Sequence, residues 1–132
     1  MEWDAQWAEA QSVNPEDRQD ILLMRWWPDY ASPSSWFDAL VRSEESVSFN
    51  LAYIRDAELD EMITAADAAV ASDREEAERL YVEVQKKLLE DSQMIYMFDD
   101  SHTFIVSDKI DGVYENPAYS YVIHYYDITK NG

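Results

Sequence analysis

Asp20-Ile-Leu-Leu-Met-Arg-Trp-Trp-Pro-Asp-Tyr-Ala-Ser-Pro33 places a strand, a loop and a helix start within fourteen residues, and the rest of the chain is read outward from it. Ile21 to Met24 is an unbroken apolar run leading into Trp26 and Trp27, the pattern of a strand covered on both faces. Pro28 has no amide N–H for a ladder and holds its predecessor extended, so the strand ends there and Asp29 and Tyr30 emerge on a loop. Ser32-Pro33 restarts regular structure. A serine hydroxyl accepts from first-turn N–H groups and proline suits the first helical position, which predicts a helix from Pro33 to about Arg42. Its buried face is Trp36, Phe37, Leu40 and Val41.

A strand, loop and helix in this order put Asp29 at the carboxyl end of the strand, where open α/β sheets bind ligands. Trp26, three positions earlier, offers a flat ring, and a carboxylate beside an indole suits an ammonium group. Both residues also have a plainer use. An aspartate after proline bonds the backbone of its own turn, and a tryptophan in an apolar strand packs the core. Taken alone, the residues favour the plainer use.

Working outward, Met1, Trp3, Trp7 and Ala10 fall near helical spacing and predict a short helix over Glu2 to Ser12, stopped by Asn14-Pro15. Downstream, Asp56 is placed to cap a helix striped by Leu59, Met62, Ile63, Ala66 and Val70, with Asp60 facing water near its positive end. Asp73 opens another helix, with Glu76 three residues on to return the capping interaction, and Ala77, Leu80, Tyr81, Val84 and Leu88 as the buried face. Tyr81 and Gln85 lie one turn apart but repeat the packing period, so they read as core. The two helices form an antiparallel pair joined at Ala71-Ser72. Met94 to Phe98 reads as a second apolar strand, turned at Asp99-Asp100-Ser101 into Thr103 to Val106, and Tyr119 to Ile128 as a last strand after a turn at Asp111-Gly112.

Composition removes whole classes of function. Ten basic residues against twenty-eight acidic ones leave a net charge of −18, which argues against nucleic acid and anionic membrane as partners. Surface solubility, a high-salt source and mimicry of nucleic acid all account for the acidity, and the mere four lysines suit the second. With no cysteine there is no disulfide, thiolate metal site or thiol catalysis. Two glycines build neither a phosphate-cradling loop nor a Rossmann turn. His102 and His124 lack metal-ligand or carboxylate–histidine spacing, no serine sits on a nucleophile elbow, and nothing fixes a pair of carboxylates for glycoside hydrolysis. No enzyme, cofactor or metal is expected. Met1-Glu2-Trp3-Asp4 lacks the basic start and apolar core of a signal peptide, and the longest apolar run, Met94 to Phe98, is far short of a membrane span.

The ordered motifs resemble one family. Asp20 to Pro33 is similar to the W-x-x-D-Y-x-x-P segment near the C-terminus of the family 5 extracytoplasmic solute-binding proteins of peptide and nickel ABC transporters. Asn50 and Asp60 match an N-(x)9-D spacing, Asp73 to Gln85 a D-R-x-E-A-x-x-L-Y-x-E-x-Q helix, and Ile110-Asp111-Gly112 with Asn116-Pro117 the closing segment. The resemblance covers nearly all 132 residues of a chain several times shorter than such proteins. It implies an α/β fold, a fragment of a periplasmic-binding-protein type II-like lobe with helices packed on a small mixed sheet. Residues 1–92 would form part of the C-terminal ligand-binding lobe, and residues 93–132 the strand segment that crosses back to the first lobe. It further implies that Asp29 holds a ligand ammonium group, Trp26 lines the pocket, and Tyr30 and Asn50 flank it. The partners would be a peptide or other small-molecule ligand and, through the full-length protein, a membrane permease, at a periplasmic or extracytoplasmic address. Surfaces left open by a missing lobe would favour self-association. Pro28 before Asp29, and Ala31-Ser32 where many members carry an acid before the proline, depart from the pattern and leave open another cationic or uncharged solute. The alternative is a stand-alone acidic interaction protein, for example a nucleic-acid mimic. A mimic needs acids on one face, whereas Glu58, Glu61, Asp67, Glu75, Glu78 and Glu90 take the polar positions of two striped helices.

Overall fold

A computed structural model describes residues 2–99, 101, 103–116, 119 and 122–131. Along the chain run α1 (Trp3–Ala10), a 3₁₀ turn at Pro15–Asp17, α2 (Ser34–Leu40), α3 (Ala57–Val70), α4 (Arg74–Asp91), β1 (Ile110–Asp111), a second 3₁₀ turn at Tyr125–Asp127 and β2 (Thr129–Lys130).

The α3–α4 hairpin is the centre of the molecule. Asp56 caps α3 by accepting from the Glu58 and Leu59 amides at 2.9 and 3.1 Å, and Asp73 caps α4 by accepting from the Glu76 amide at 3.0 Å. Only half of the expected capping box forms, because the Glu76 side chain pairs with Arg79 one turn on, at 2.5 Å, and does not reach back. Leu59, Ile63 and Ala66 of α3 meet Ala77, Tyr81, Val84 and Leu88 of α4, all buried. Burying one such aliphatic side chain stabilises the fold by about 1.5–3 kcal/mol, which makes this seam the main source of stability. Leu80 and Met62 flank it half-buried, while Val70 at the end of α3 is exposed.

Helix α2 lies on α3 through Phe37, Leu40 and Val41, with the Phe37 ring stacked on Tyr81 at 5.5 Å. Trp36, expected on that face, is 39% exposed, and Ser35 takes the buried position. Residues one apart on a helix point about 100° apart, so a face set by 37, 40 and 41 turns 36 outward. Arg42, just past α2, fastens it by bonding Asp38 at 2.6 Å, the Thr64 hydroxyl at 3.0 Å and Asp67 at 2.9 Å. Asp60, expected to face water, instead accepts the Ser43 amide at 2.9 Å and holds the chain as it leaves α2.

The strand expectations fail for one shared reason. Residues 21–27 form no strand, with Leu22, Met24 and Trp26 turned inward and Ile21, Leu23, Arg25 and Trp27 outward, so Ile21 is 88% exposed. Met94 packs against the core, yet Ile95 to Phe98 are exposed, as are Phe104 to Val106. A strand exists only through a ladder partner, and among the described residues these segments have none. The sheet is a single antiparallel pair, Ile110 opposite Lys130 and Asp111 opposite Thr129. Thus the last strand begins at Thr129, beyond the expected Tyr119 to Ile128, and joins its own chain. The described elements are mixed α and β, but helix packs on helix here and not on a mixed sheet. Met1, Asp100, His102, Pro117, Ala118, Ser120 and Tyr121 lie outside the described residues.

Candidate functional site

Helix α1 and the extended segment before α2 face each other across an open cavity. Three polar tethers hold α1 in place. Gln19 donates to the Gln6 carbonyl at 2.9 Å, Gln11 to the Ser48 carbonyl at 2.7 Å, and the Tyr53 hydroxyl to the Ala10 carbonyl at 2.7 Å. Tyr53 adopts φ 56°, a left-handed conformation costing a residue with a Cβ about 1–2 kcal/mol, and the Arg18 guanidinium lies 3.6 Å over its ring. The loop residue that anchors α1 is therefore itself clamped.

The cavity occupies about 1030 Å³. Its wall includes Trp3, Trp7, Trp26 and Trp27, four of the five tryptophans, together with Phe49. Their rings form a series: Trp3 to Trp7 at 5.6 Å, Trp7 to Phe49 at 5.7 Å and Phe49 to Trp26 at 4.8 Å, all tilted. These separations fall in the range where aromatic pairs attract beyond their buried area. Asp4, Arg25 and Asp29 bring charge to the same lining.

Trp26 and Asp29 thus share one cavity. Trp26 is half-buried against the core, and its Nε1–H is shielded without an acceptor among the described residues. Asp29 is exposed, and its backbone N–H donates to the buried Ser35 hydroxyl at 2.8 Å. Ser32 does not cap α2 as expected; its hydroxyl accepts from Ser34, while its carbonyl accepts the Ser35 amide. Tyr30 lies beside the cavity on the same loop, exposed, with its hydroxyl 3.2 Å from that of Ser34.

Asn50 is elsewhere. Its side chain is fully buried, donating to the carbonyls of Val41, Arg42 and Ile54 at 3.4, 3.1 and 2.8 Å and accepting the Ile54 amide at 3.0 Å. Its hydrogen-bonding capacity is spent on the backbone between α2 and α3, and its neighbour Phe49 is the residue that reaches the cavity. Trp3, Trp7 and Phe49 were not singled out as site residues from the sequence. The signal available was the cluster of rings in a chain that is 14% aromatic.

The described residues hold no group of three or more His, Cys, Asp and Glu side chains able to bind a metal ion, and no helix among them is long and apolar enough to cross a membrane. No protein-family model and no solved structure matches the chain. It is 23% identical over 115 residues to the probable D,D-dipeptide-binding periplasmic protein DdpA of Escherichia coli (strain K12), an alignment covering 84% of this chain. The chain spans 21% of the length of that curated relative, and its similarity is to a binding protein rather than to an enzyme.

Proposed function

We propose that this chain binds a small solute bearing an ammonium group, a peptide or a compound like it, as the ligand-recognition part of an extracytoplasmic receptor serving an ABC transporter permease. The observation that carries the reading is the shared cavity: the Asp29 carboxylate stands at an aromatic wall that includes Trp26. A carboxylate and indole faces together attract an ammonium group by charge-assisted hydrogen bonding and by the ring quadrupole. The similarity to a protein named for D,D-dipeptide binding and periplasmic location supports both ligand class and address. In this reading Asp29 holds the ammonium group, Trp26 lines the site and Tyr30 flanks it, while Asn50 acts indirectly by holding Phe49 in the wall. Residues 1–92 carry the site, and residues 93–132 pass to another lobe. The exposed apolar side chains of Ile21, Leu23, Ile95, Met97, Phe98 and Ile105 support cover by further polypeptide, either more of a longer protein or a second copy.

The test is a titration of the indole N–H signals of the 132-residue chain with D-alanyl-D-alanine and with its N-acetyl derivative, which lacks the ammonium group. The free dipeptide shifts the Trp26 signal and the acetylated one does not; Asp29→Asn removes the response. Equal responses to both compounds, or an unchanged response in the variant, would overturn the assignment.

A further inference from the structure

The Asp29 carboxylate accounts for one end of a bound ammonium compound, and the opposite wall bears on the rest of it. Trp3 and Trp7 lie one turn apart on α1 and continue the ring series from Phe49 and Trp26 across the cavity. Packing of α1 alone does not require both indoles. Ala10 is its buried residue and its tethers are polar, whereas Trp3 is left 53% exposed along the cavity. Exposing large rings to water on a helix already anchored by other contacts is unfavourable unless something covers them.

We propose that α1 forms a side-group subsite, so that the ligand is an organic ammonium compound bearing an aromatic group, its charge at Asp29 and its ring against Trp3, Trp7 and Phe49. The proposal rests on the reading of Asp29 given above. Size agrees with it, since about 1030 Å³ far exceeds what a bare alkylammonium ion fills and stands at the upper end of small-molecule sites. Charge agrees too. Two carboxylates, Asp4 and Asp29, stand against one guanidinium, Arg25, in the lining of a chain of net charge −18, so the balance favours an aromatic cation over an aromatic anion. The tethers hold the rings before the ligand arrives, which lowers the ordering cost of binding.

Ethylammonium and 2-phenylethylammonium, titrated against the 132-residue chain at one pH and ionic strength, separate the possibilities. Both shift the Trp26 indole signal. 2-Phenylethylammonium binds about 2- to 12-fold tighter, the range one aromatic pair supplies, and it alone shifts Trp3 and Trp7. Trp36, exposed on α2 and absent from the cavity wall, serves as the unmoved reference. Trp7→Leu lowers the affinity ratio toward one. Trp3→Leu, at a more exposed position, does the same should the first variant fold poorly. Equal affinities with silent Trp3 and Trp7 signals, while Trp26 still responds and Asp29→Asn abolishes binding, overturn the subsite and leave the Asp29 reading standing. Absence of any indole response to either amine, or binding that survives Asp29→Asn, overturns both.

Discussion

The Asp29 amide donates to the Ser35 hydroxyl at 2.8 Å, tying the loop that carries the candidate ligand contact to the one buried polar side chain of α2. Ser35 is 3% exposed and cannot swing away, so the bond sets where the loop backbone runs. Ser35→Ala should lower stability by about 0.5–1.5 kcal/mol and speed hydrogen exchange at the Asp29 amide, with Ser35→Thr restoring protection. An Asp29 amide that exchanges at the same rate in Ser35→Ala counts against this positioning role.

Asn50 holds the loop between α2 and α3 with a donor group facing three carbonyls. Asn50→Asp replaces that amide with a carboxylate that repels all three, and should destabilise by about 3 kcal/mol or more, read from the urea unfolding midpoint. A midpoint close to that of the parent chain would show that the loop has another anchor.

Tyr81 is one of three phenols held above the ordinary value among the described residues, with Tyr96 raised by burial and Tyr114 by its hydrogen bond to Asp127. Burial, and then the 2.6 Å hydrogen bond to Asp67, push the Tyr81 pKa from 10.0 up to about 12. Because the folded value lies above the unfolded one, its contribution to stability is complete below pH 10 and is lost as pH rises toward about 12. Ultraviolet titration of the nine tyrosines should show a late-titrating fraction from which Tyr81→Phe removes one phenol.

Lys87 closes the open end of the α3–α4 hairpin, with its ammonium 3.0 Å from Asp56, 3.4 Å from Glu58 and 3.2 Å from Asp91. The Lys87 hydrogen bond, followed by the Leu59 amide, holds the Asp56 carboxyl below 3.8. A depressed folded pKa stabilises above 3.8, and that contribution disappears as pH falls through the folded value. Lys87→Met should lower Tm at neutral pH and flatten the fall of Tm on acidification. A parallel pH profile for parent and variant would place the acid sensitivity elsewhere.

Binding by the 132-residue chain alone should be weak. One charge-assisted hydrogen bond contributes about 1.5–3 kcal/mol and a cation–π contact about 0.5–2, whereas micromolar affinity needs about 8. Calorimetry should therefore find no peptide bound with sub-millimolar affinity, and a micromolar dissociation constant would sink this expectation.

The helical hairpin follows from local sequence alone. Asp56 and Asp73 cap, and Leu59, Ile63, Ala66, Ala77, Tyr81, Val84 and Leu88 bury, because capping and a 3.6-residue period are local properties written within one or two turns. The sequence also placed Trp26 and Asp29 close along the chain. What they face depends on long-range packing. The indoles of α1 are nineteen or more positions earlier, and they meet Phe49 and Trp26 through tethers from Gln19, Ser48 and Tyr53 that no local pattern encodes. The same distance dependence explains the apolar segments at 21–27 and 94–98. Hydrophobicity marks such a run as extended, but a ladder needs a partner from elsewhere in the chain, and here the pairing falls to Ile110–Asp111 with Thr129–Lys130. Asn50 shows the limit most plainly: a polar residue between two helices reads equally as a ligand contact or a buried pin, and the carbonyls of Val41, Arg42 and Ile54 around it made it a pin.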